Sequence, residues 1–187
     1  MNSPSHLNLA PPLDVVGWLN TSTPLSLEQL KGKVVVIHAF QMLCPGCVSH
    51  GLPQASNIYN LYNKDDVQVI GLHTVFEHHS VMTIDALRAF VHEYRLAFPI
   101  AIDRPSDTSV IPHTMARYHM QGTPTLIIID KNGFLRVNHF GRMSDLQAGS
   151  IIGGLLEEKC TSTLGIKNAA VTNELSSKQC GDDGCLV

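Results

Sequence analysis

One stretch constrains this chain more than any other: His38-Ala-Phe-Gln-Met-Leu-Cys44-Pro-Gly-Cys47. It follows the apolar run Val34-Val-Val-Ile37, which reads as a buried strand, and precedes an apolar segment compatible with a helix. If Cys44 caps the start of that helix, its sulfur sits among unpaired backbone N–H groups at the positive end of the helix dipole. That field favours the thiolate, which is the attacking species. Cys47 then lies one turn on, near enough to close a disulfide onto Cys44. Pro45 falls at the first helical position, where its fixed φ fits and its missing N–H costs nothing. Gly46 lets another backbone approach closely.

Two other readings of the pair compete with redox chemistry. A CxxC is half of many zinc sites, but zinc takes four ligands, and the chain has no second CxxC or paired histidine motif. Free cysteines also pack as small hydrophobes in ordinary cores. The strand–CxxC–helix context favours the redox reading.

The rest of the chain supplies the frame. Residues 1–12, with Pro4, Pro11 and Pro12, read as a loose N-terminal arm. Residues 13–19 suit a first strand and 26–30 a short helical turn with Leu27 and Leu30 inward. Leu52, Ala55, Ile58, Tyr59 and Tyr62 repeat at helical spacing, and Pro53 should kink that helix near its start. Residues 67–72 read as a strand buried on both faces. Leu87, Phe90, Val91 and Tyr94 mark an amphipathic helix with Asp85 in its first turn, and 98–102 a short strand. A short helix is expected over 111–120. Residues 125–130 and 134–140 pair as a hairpin around Lys131-Asn-Gly133. Ser144-Asp-Leu-Gln147 matches a capping box, opening a helix that buries Ala148, Ile151, Ile152, Leu155 and Leu156. One domain over 13–158 accounts for these elements. From residue 159 the composition turns to Ser, Thr, Asn, Gly and Lys, so 159–187 reads as a cysteine-containing C-terminal extension.

Composition narrows the function classes. With 187 residues, 44% apolar and 16% charged, the chain can bury a core. Its net charge of −3, without a basic block, argues against nucleic acid or an anionic membrane as partner. The N-terminus has neither a positive region nor a sustained apolar one, so the expected location is cytoplasmic. A leader removed before residue 1 would point to the periplasm instead.

The order of elements, with Cys44-Pro-Gly-Cys47 after the central strand and Gly122-Thr-Pro-Thr125 before a later one, resembles the thioredoxin-like superfamily. Within it the chain looks most like the TlpA-like and redoxin-type thiol–disulfide oxidoreductases. The segment Ser26-Leu-Glu-Gln-Leu-Lys-Gly-Lys-Val-Val-Val36 resembles their lead-in to the active site, and residues 67–102 resemble their insertion. The resemblance implies an α/β thioredoxin-like fold, a central mixed sheet flanked by helices, with the N-terminal extension and C-terminal tail outside it. It implies Cys44 as nucleophile, Cys47 as resolving thiol, and Pro124 as a cis-proline facing them that presents the Thr123 backbone to an extended substrate. Read alone, Pro124 could as well be a trans proline starting a strand.

Departures from the pattern fall close to the cysteines. His38 stands where thioredoxin carries a buried Asp that assists proton transfer, Leu43 where a Trp is usual, and His50 where relatives often carry Glu. Pro53 falls one residue later than the family's helix proline, implying an extra residue in that helix. His38 is either a proton carrier, for which an ordinary imidazole is suited near neutrality, or a hydrogen-bonded core residue. His78 and His79 read as exposed loop rather than metal ligands, and Tyr59 and Tyr62 as core edge.

The leading functional expectation is dithiol–disulfide exchange with a protein or small-thiol disulfide, fed by an upstream reductant and needing no metal or organic cofactor. A thiol peroxidase is the second reading, weakened because Gln41 occupies the position where peroxiredoxins carry Thr or Ser. The third is a soft-metal-binding protein using Cys44, Cys47 and the tail cysteines. Cys180 and Cys185 form a possible second redox pair, a tail dithiol able to swing onto the active site, and Cys160 stands alone.

Overall fold

The computed structural model describes residues 8–159. The run Val34–Phe40 (β2) is buried at every position and lies inside the sheet. It pairs in parallel with β3 (Val67–His73) and antiparallel with β5 (Thr125–Ile129). On one side β4 (Ile100–Asp103) runs parallel to β3, and β1 (Val15–Leu19) closes that edge antiparallel to β4. On the other, β6 (Leu135–Phe140) forms the hairpin with β5. The order is β1-β4-β3-β2-β5-β6, a mixed six-stranded sheet.

Helices cover both faces, which is why β2 and β5 read as continuous apolar runs rather than alternating ones. Successive side chains of a strand point to opposite faces. Val34, Val36 and Phe40 therefore join Leu52, Ile58, Leu87, Val91, Ile152 and Leu155 in one cluster. These last six come from α1 (Leu52–Leu61), α2 (Ile84–Glu93) and α4 (Asp145–Glu157). Val35, Ile37 and Ala39 face the opposite cluster with Leu30, Met115 and Tyr118. Each fully buried aliphatic side chain here contributes roughly 2 kcal/mol of transfer free energy.

Local signals fix the helix starts. Thr83 Oγ1 accepts from Ala86 N at α2, and Ser144 with Gln147 makes the full capping box at α4. The third helix, α3 (His113–Arg117), is shorter than the expected 111–120, and Pro112 at its cap has no side-chain oxygen to offer. A residue distant in sequence replaces the local cap: buried Asp103, at the end of β4, accepts from Thr114 N at 2.8 Å and Met115 N at 3.0 Å.

Of the N-terminal arm, residues 8–12 are described, and they are held against the domain rather than loose. Leu9 bridges to Phe134, Ala10 N donates to Gly133 O, and the buried Tyr118 hydroxyl donates to Pro11 O at 2.6 Å. Asp14 then accepts from Arg104 and Arg117. Residues 8–14 are held because their carbonyls and one carboxylate find fixed donors on α3 and the loop after β4. The tail residues Cys160, Cys180 and Cys185 lie outside the described residues.

Candidate active site

The site forms where β2 ends. Cys44 N donates to Gln41 O at 3.2 Å, closing a turn, and Pro45 and Gly46 are already helical. Cys44 sits at the cap: its carbonyl accepts from Cys47 N and Val48 N, each at 3.1 Å. Its sulfur accepts from Cys47 N at 3.2 Å. A serine or aspartate oxygen usually makes this side-chain bond at a helix start, and here a sulfur makes it. The same N–H and the helix dipole stabilise negative charge on Cys44 when the pair is reduced.

Cys44 and Cys47 are joined as a disulfide, with Cα atoms 5.2 Å apart. Their exposures differ. Cys44 is half-buried, whereas Cys47 is completely buried among Val36, Phe40 and Leu52. An incoming sulfur can therefore reach Cys44 and not Cys47. Leu43 beside it is 59% exposed and supplies an apolar rim.

After Cys47 the helix does not continue as an α-helix. Cys47–Gly51 form a π turn, in which Leu52 N donates to Cys47 O, and α1 starts at Leu52. A π turn spends one more residue per hydrogen bond than an α turn, so it absorbs a single inserted residue without shifting the rest of the helix. It accommodates the extra residue that the family resemblance implies from the late position of Pro53. Pro53 lies at the start of α1, where its missing N–H does least damage.

The Thr123–Pro124 bond is cis, and Thr123 O lies 3.5 Å from Cys44 Sγ. The Pro124 ring packs onto the two glycines that bracket the π turn. A β-carbon on Gly46 would stand 3.3 Å from Pro124 Cδ, and one on Gly51 would stand 3.2 Å from Pro124 Cβ. Pro124 is fixed from its other side by Gly141 N, which donates to Pro124 O at 2.8 Å.

Behind Pro124 a cavity of about 140 Å³ runs between the π turn, α1 and the loop before α4. His38, 2% exposed, lines it, and neither ring nitrogen has a hydrogen-bond partner. Burial away from water pushes its pKa down to about 4, with the Asp145 carboxylate acting in the opposite direction. His38 is thus a neutral imidazole near pH 7. Gln54 Nε2 spans the cavity wall, donating to Asp145 Oδ1 at 2.7 Å and Met143 O at 2.9 Å, and so ties α1 to α4.

Gln41 is buried, and its amide is committed: Oε1 accepts from Phe76 N, and Nε2 donates to Glu77 Oε1. His50, His78 and His79 are exposed. Tyr59 packs edge-on to Phe98 under the Lys64 ammonium, a core-edge arrangement. Among the described residues, no three His, Cys, Asp or Glu side chains are grouped to hold a metal ion. Sequence reasoning missed Gln54, Asp145 and Gly51. Asp145 had a faint signal as the first-turn acid of the capping box; the other two had none.

Comparison with known proteins agrees with this geometry. The AhpC/TSA family matches residues 9–138. A crystal structure of a thioredoxin-like superfamily protein is 53% identical with a TM-score of 0.80, covering 81% of this chain and 98% of that one. A thiol-disulfide isomerase from Corynebacterium glutamicum is 49% identical with a TM-score of 0.77, covering 80% and 98%. Curated relatives include NHL repeat-containing protein 2 of Bos taurus, 32% identical over 119 residues, which are 62% of this chain and 15% of the relative. The thiol-disulfide oxidoreductase ResA of Halalkalibacterium halodurans is 26% identical over 121 residues, 65% of this chain and 61% of the relative. The chain thus spans less than two thirds of either curated relative. The fold is thioredoxin-like, and the chain belongs to the AhpC/TSA family.

Proposed function

We propose that the protein is a thiol–disulfide oxidoreductase in which Cys44 attacks and Cys47 resolves. One observation carries the reading: a disulfide-forming pair whose first sulfur is reachable and capped by a backbone N–H, and whose second is buried. In the reducing direction the Cys44 thiolate attacks a substrate disulfide, forming a mixed disulfide and expelling one substrate thiolate. Cys47 loses its proton and attacks Cys44 Sγ, closing Cys44–Cys47 and expelling the second substrate thiolate. Two electrons pass from the dithiol to the substrate, and an upstream reductant must restore them. Run backwards, the same site oxidises; direction follows the potential of the pair against its partners.

The other site residues take roles in the same reading. Pro45 and Gly46 shape the cap, and Thr123 and Pro124 form the facing wall against which substrate lies beside Cys44. By alternation along β2, His38 faces the same side as Val36, Phe40 and Cys47. As a neutral, unpartnered imidazole it is suited to take the proton that Cys47 must lose. Exposed Leu43 and half-exposed Phe140 favour an apolar, peptide-bearing substrate over a small charged thiol. Gln41 argues for exchange rather than peroxide reduction, because its amide is already spent on Phe76 and Glu77.

The cytoplasmic expectation gains no support from the relatives, and the same chemistry serves a periplasmic protein. Among the described residues no helix is long and apolar enough to cross a membrane. Cys180 and Cys185 remain a proposed second pair that recharges the first.

The test is mechanism-based trapping. Cys47→Ser should accumulate mixed disulfides through Cys44, because attack persists while resolution fails, and Cys44→Ser should accumulate none. Trapping by the Cys44→Ser variant instead would reverse the assignment.

A further inference from the structure

The last helix lacks the polar outer face that its place in the fold calls for. A helix packed on one side carries charged residues on the other. α2 does so: Leu87 and Val91 are buried, while Asp85, Arg88, His92 and Glu93 are exposed. α4 buries Ala148, Ile152 and Leu155, yet from Leu146 to Leu156 it has no charged residue. Its outward positions are Leu146, Ser150, Gly153 and Gly154, which share one face at helical spacing. Leu146 is 85% exposed, and nothing lies within 4 Å of where β-carbons on Gly153 and Gly154 would stand. Glycine weakens a helix relative to alanine, and the domain itself makes no use of the space these two leave. Met143, Leu146 and Ile151 wall a shallow groove on this side, with Gln147 and Ser150 between them.

The bare strip is about 20 Å long and 10 Å wide, roughly 200 Å². A stable dimer takes about 800 Å² from each partner, so the strip suits one extended segment better than a second copy. The chain supplies such a segment directly. Arg136 holds both carboxylate oxygens of Glu158, which fixes where the chain leaves α4. Residues 160–173, outside the described residues, include Leu164, Ile166 and Val171 and a single charge, Lys167. Leu146 lies about 20 Å back along the helix from Lys159. In an extended chain Leu164 and Ile166 reach about 17 and 23 Å from Lys159, so they straddle the groove. The tether also raises their local concentration to roughly millimolar.

We propose that residues 160–171 fold back along α4 as an extended segment, with Leu164 and Ile166 packed between Met143, Leu146 and Ile151. Gln147 and Ser150 offer side-chain hydrogen bonds to its backbone. The docking does not depend on the roles given to Cys44 and Cys47. It delivers the chain beyond Val171, with Cys180 and Cys185, to the Met143 end of α4, which also borders the cavity behind Pro124.

Trypsin reads this docking in the full chain. It can cut the tail after Lys167, inside the docked segment, and after Lys178, beyond it. Cleavage after Lys167 should be at least about tenfold slower than after Lys178, because it waits for the segment to lift off. Leu146→Ser removes an exposed wall of the groove without touching the core, and should raise the Lys167 rate to that at Lys178. Ile166→Ser should do the same, and the two together should do no more than either alone. Methyl–methyl NOEs in the unaltered chain should join Leu164 and Ile166 to Leu146 and Ile151, which decides the matter even if a variant fails to fold. Equal cutting at both lysines without these NOEs would leave the face bare and overturn the proposal. So would protection that Leu146→Ser leaves intact, which would put the segment elsewhere. Protection lost on dilution, with a dimer seen by light scattering, would assign the face to a second copy and overturn it too.

Discussion

Gly51 and Pro124 meet so closely that a β-carbon on the glycine would stand 3.2 Å from Pro124 Cβ. The contact joins the π turn after Cys47 to the wall facing Cys44, so the spacing between the two halves of the site is set there. Gly51→Ala should push Pro124 away or unwind the π turn, costing about 1–2 kcal/mol as overpacking does. A shift of the urea midpoint at unchanged slope, with slower exchange, would bear this out. A variant of wild-type stability and rate would show the contact to be slack.

Unequal burial of the two sulfurs makes the reduced pair unequal in reactivity. Cys44 should be alkylated by iodoacetamide at least about tenfold faster than Cys47 at pH 7, since it is both reachable and stabilised as thiolate. Mass spectrometry after a short pulse identifies the modified residue. Preferential labelling of Cys47 would contradict the roles given to the pair.

Two buried neutral histidines make stability depend on pH in a defined window. An imidazole titrates near 6.5 in the unfolded chain, whereas burial holds His38 and His73 at about 4 in the fold. Between these values the unfolded chain binds protons that the folded one does not, so stability falls as pH drops from about 6.5 to about 4. The loss is on the order of 3 kcal/mol per histidine at most. Hydrogen bonds from Arg104 and Arg136 hold Asp14 and Glu158 low, and their contributions are lost only below their ordinary values of 3.8 and 4.5. Urea midpoints at pH 7, 6 and 5 isolate the histidine effect. A midpoint unchanged over that range would mean that His38 and His73 are not buried as neutral groups.

Asp103 caps α3 from another strand. Asp103→Ala would leave Thr114 N and Met115 N without acceptors in a buried place, at a cost of about 2–3 kcal/mol. Asp103→Asn, which keeps an acceptor oxygen, should cost less. Thermal or urea unfolding of the two variants orders them, and equal losses would show that the hydrogen bonds to the cap contribute little.

The tail cysteines are tested by function. If Cys180 and Cys185 recharge the active site, the double Cys180→Ser, Cys185→Ser variant should turn over more slowly with the upstream reductant while Cys44 reacts with substrate as before. Equal turnover would remove the relay.

Much of this molecule was legible because short-range physics dictated it. The apolar runs at 34–40 and 125–129 had to be interior strands, Ser144 and Gln147 had to open a helix, and two cysteines after a strand end pointed to a helix cap. The extra residue before Pro53 came instead from the family resemblance, as a proline one position later than the pattern implies. What the sequence could not carry was every relation between distant segments. Which glycine would touch Pro124, that Asp103 would replace the missing cap of α3, and that residues 8–14 would be tied down by Tyr118, Arg104 and Arg117 all depend on how the sheet brings its ends together. The same holds for the two imidazoles. A histidine in a strand is chemically undecided until its neighbours are in place, and only the packed structure enclosed His38 and His73 without partners and set their charge.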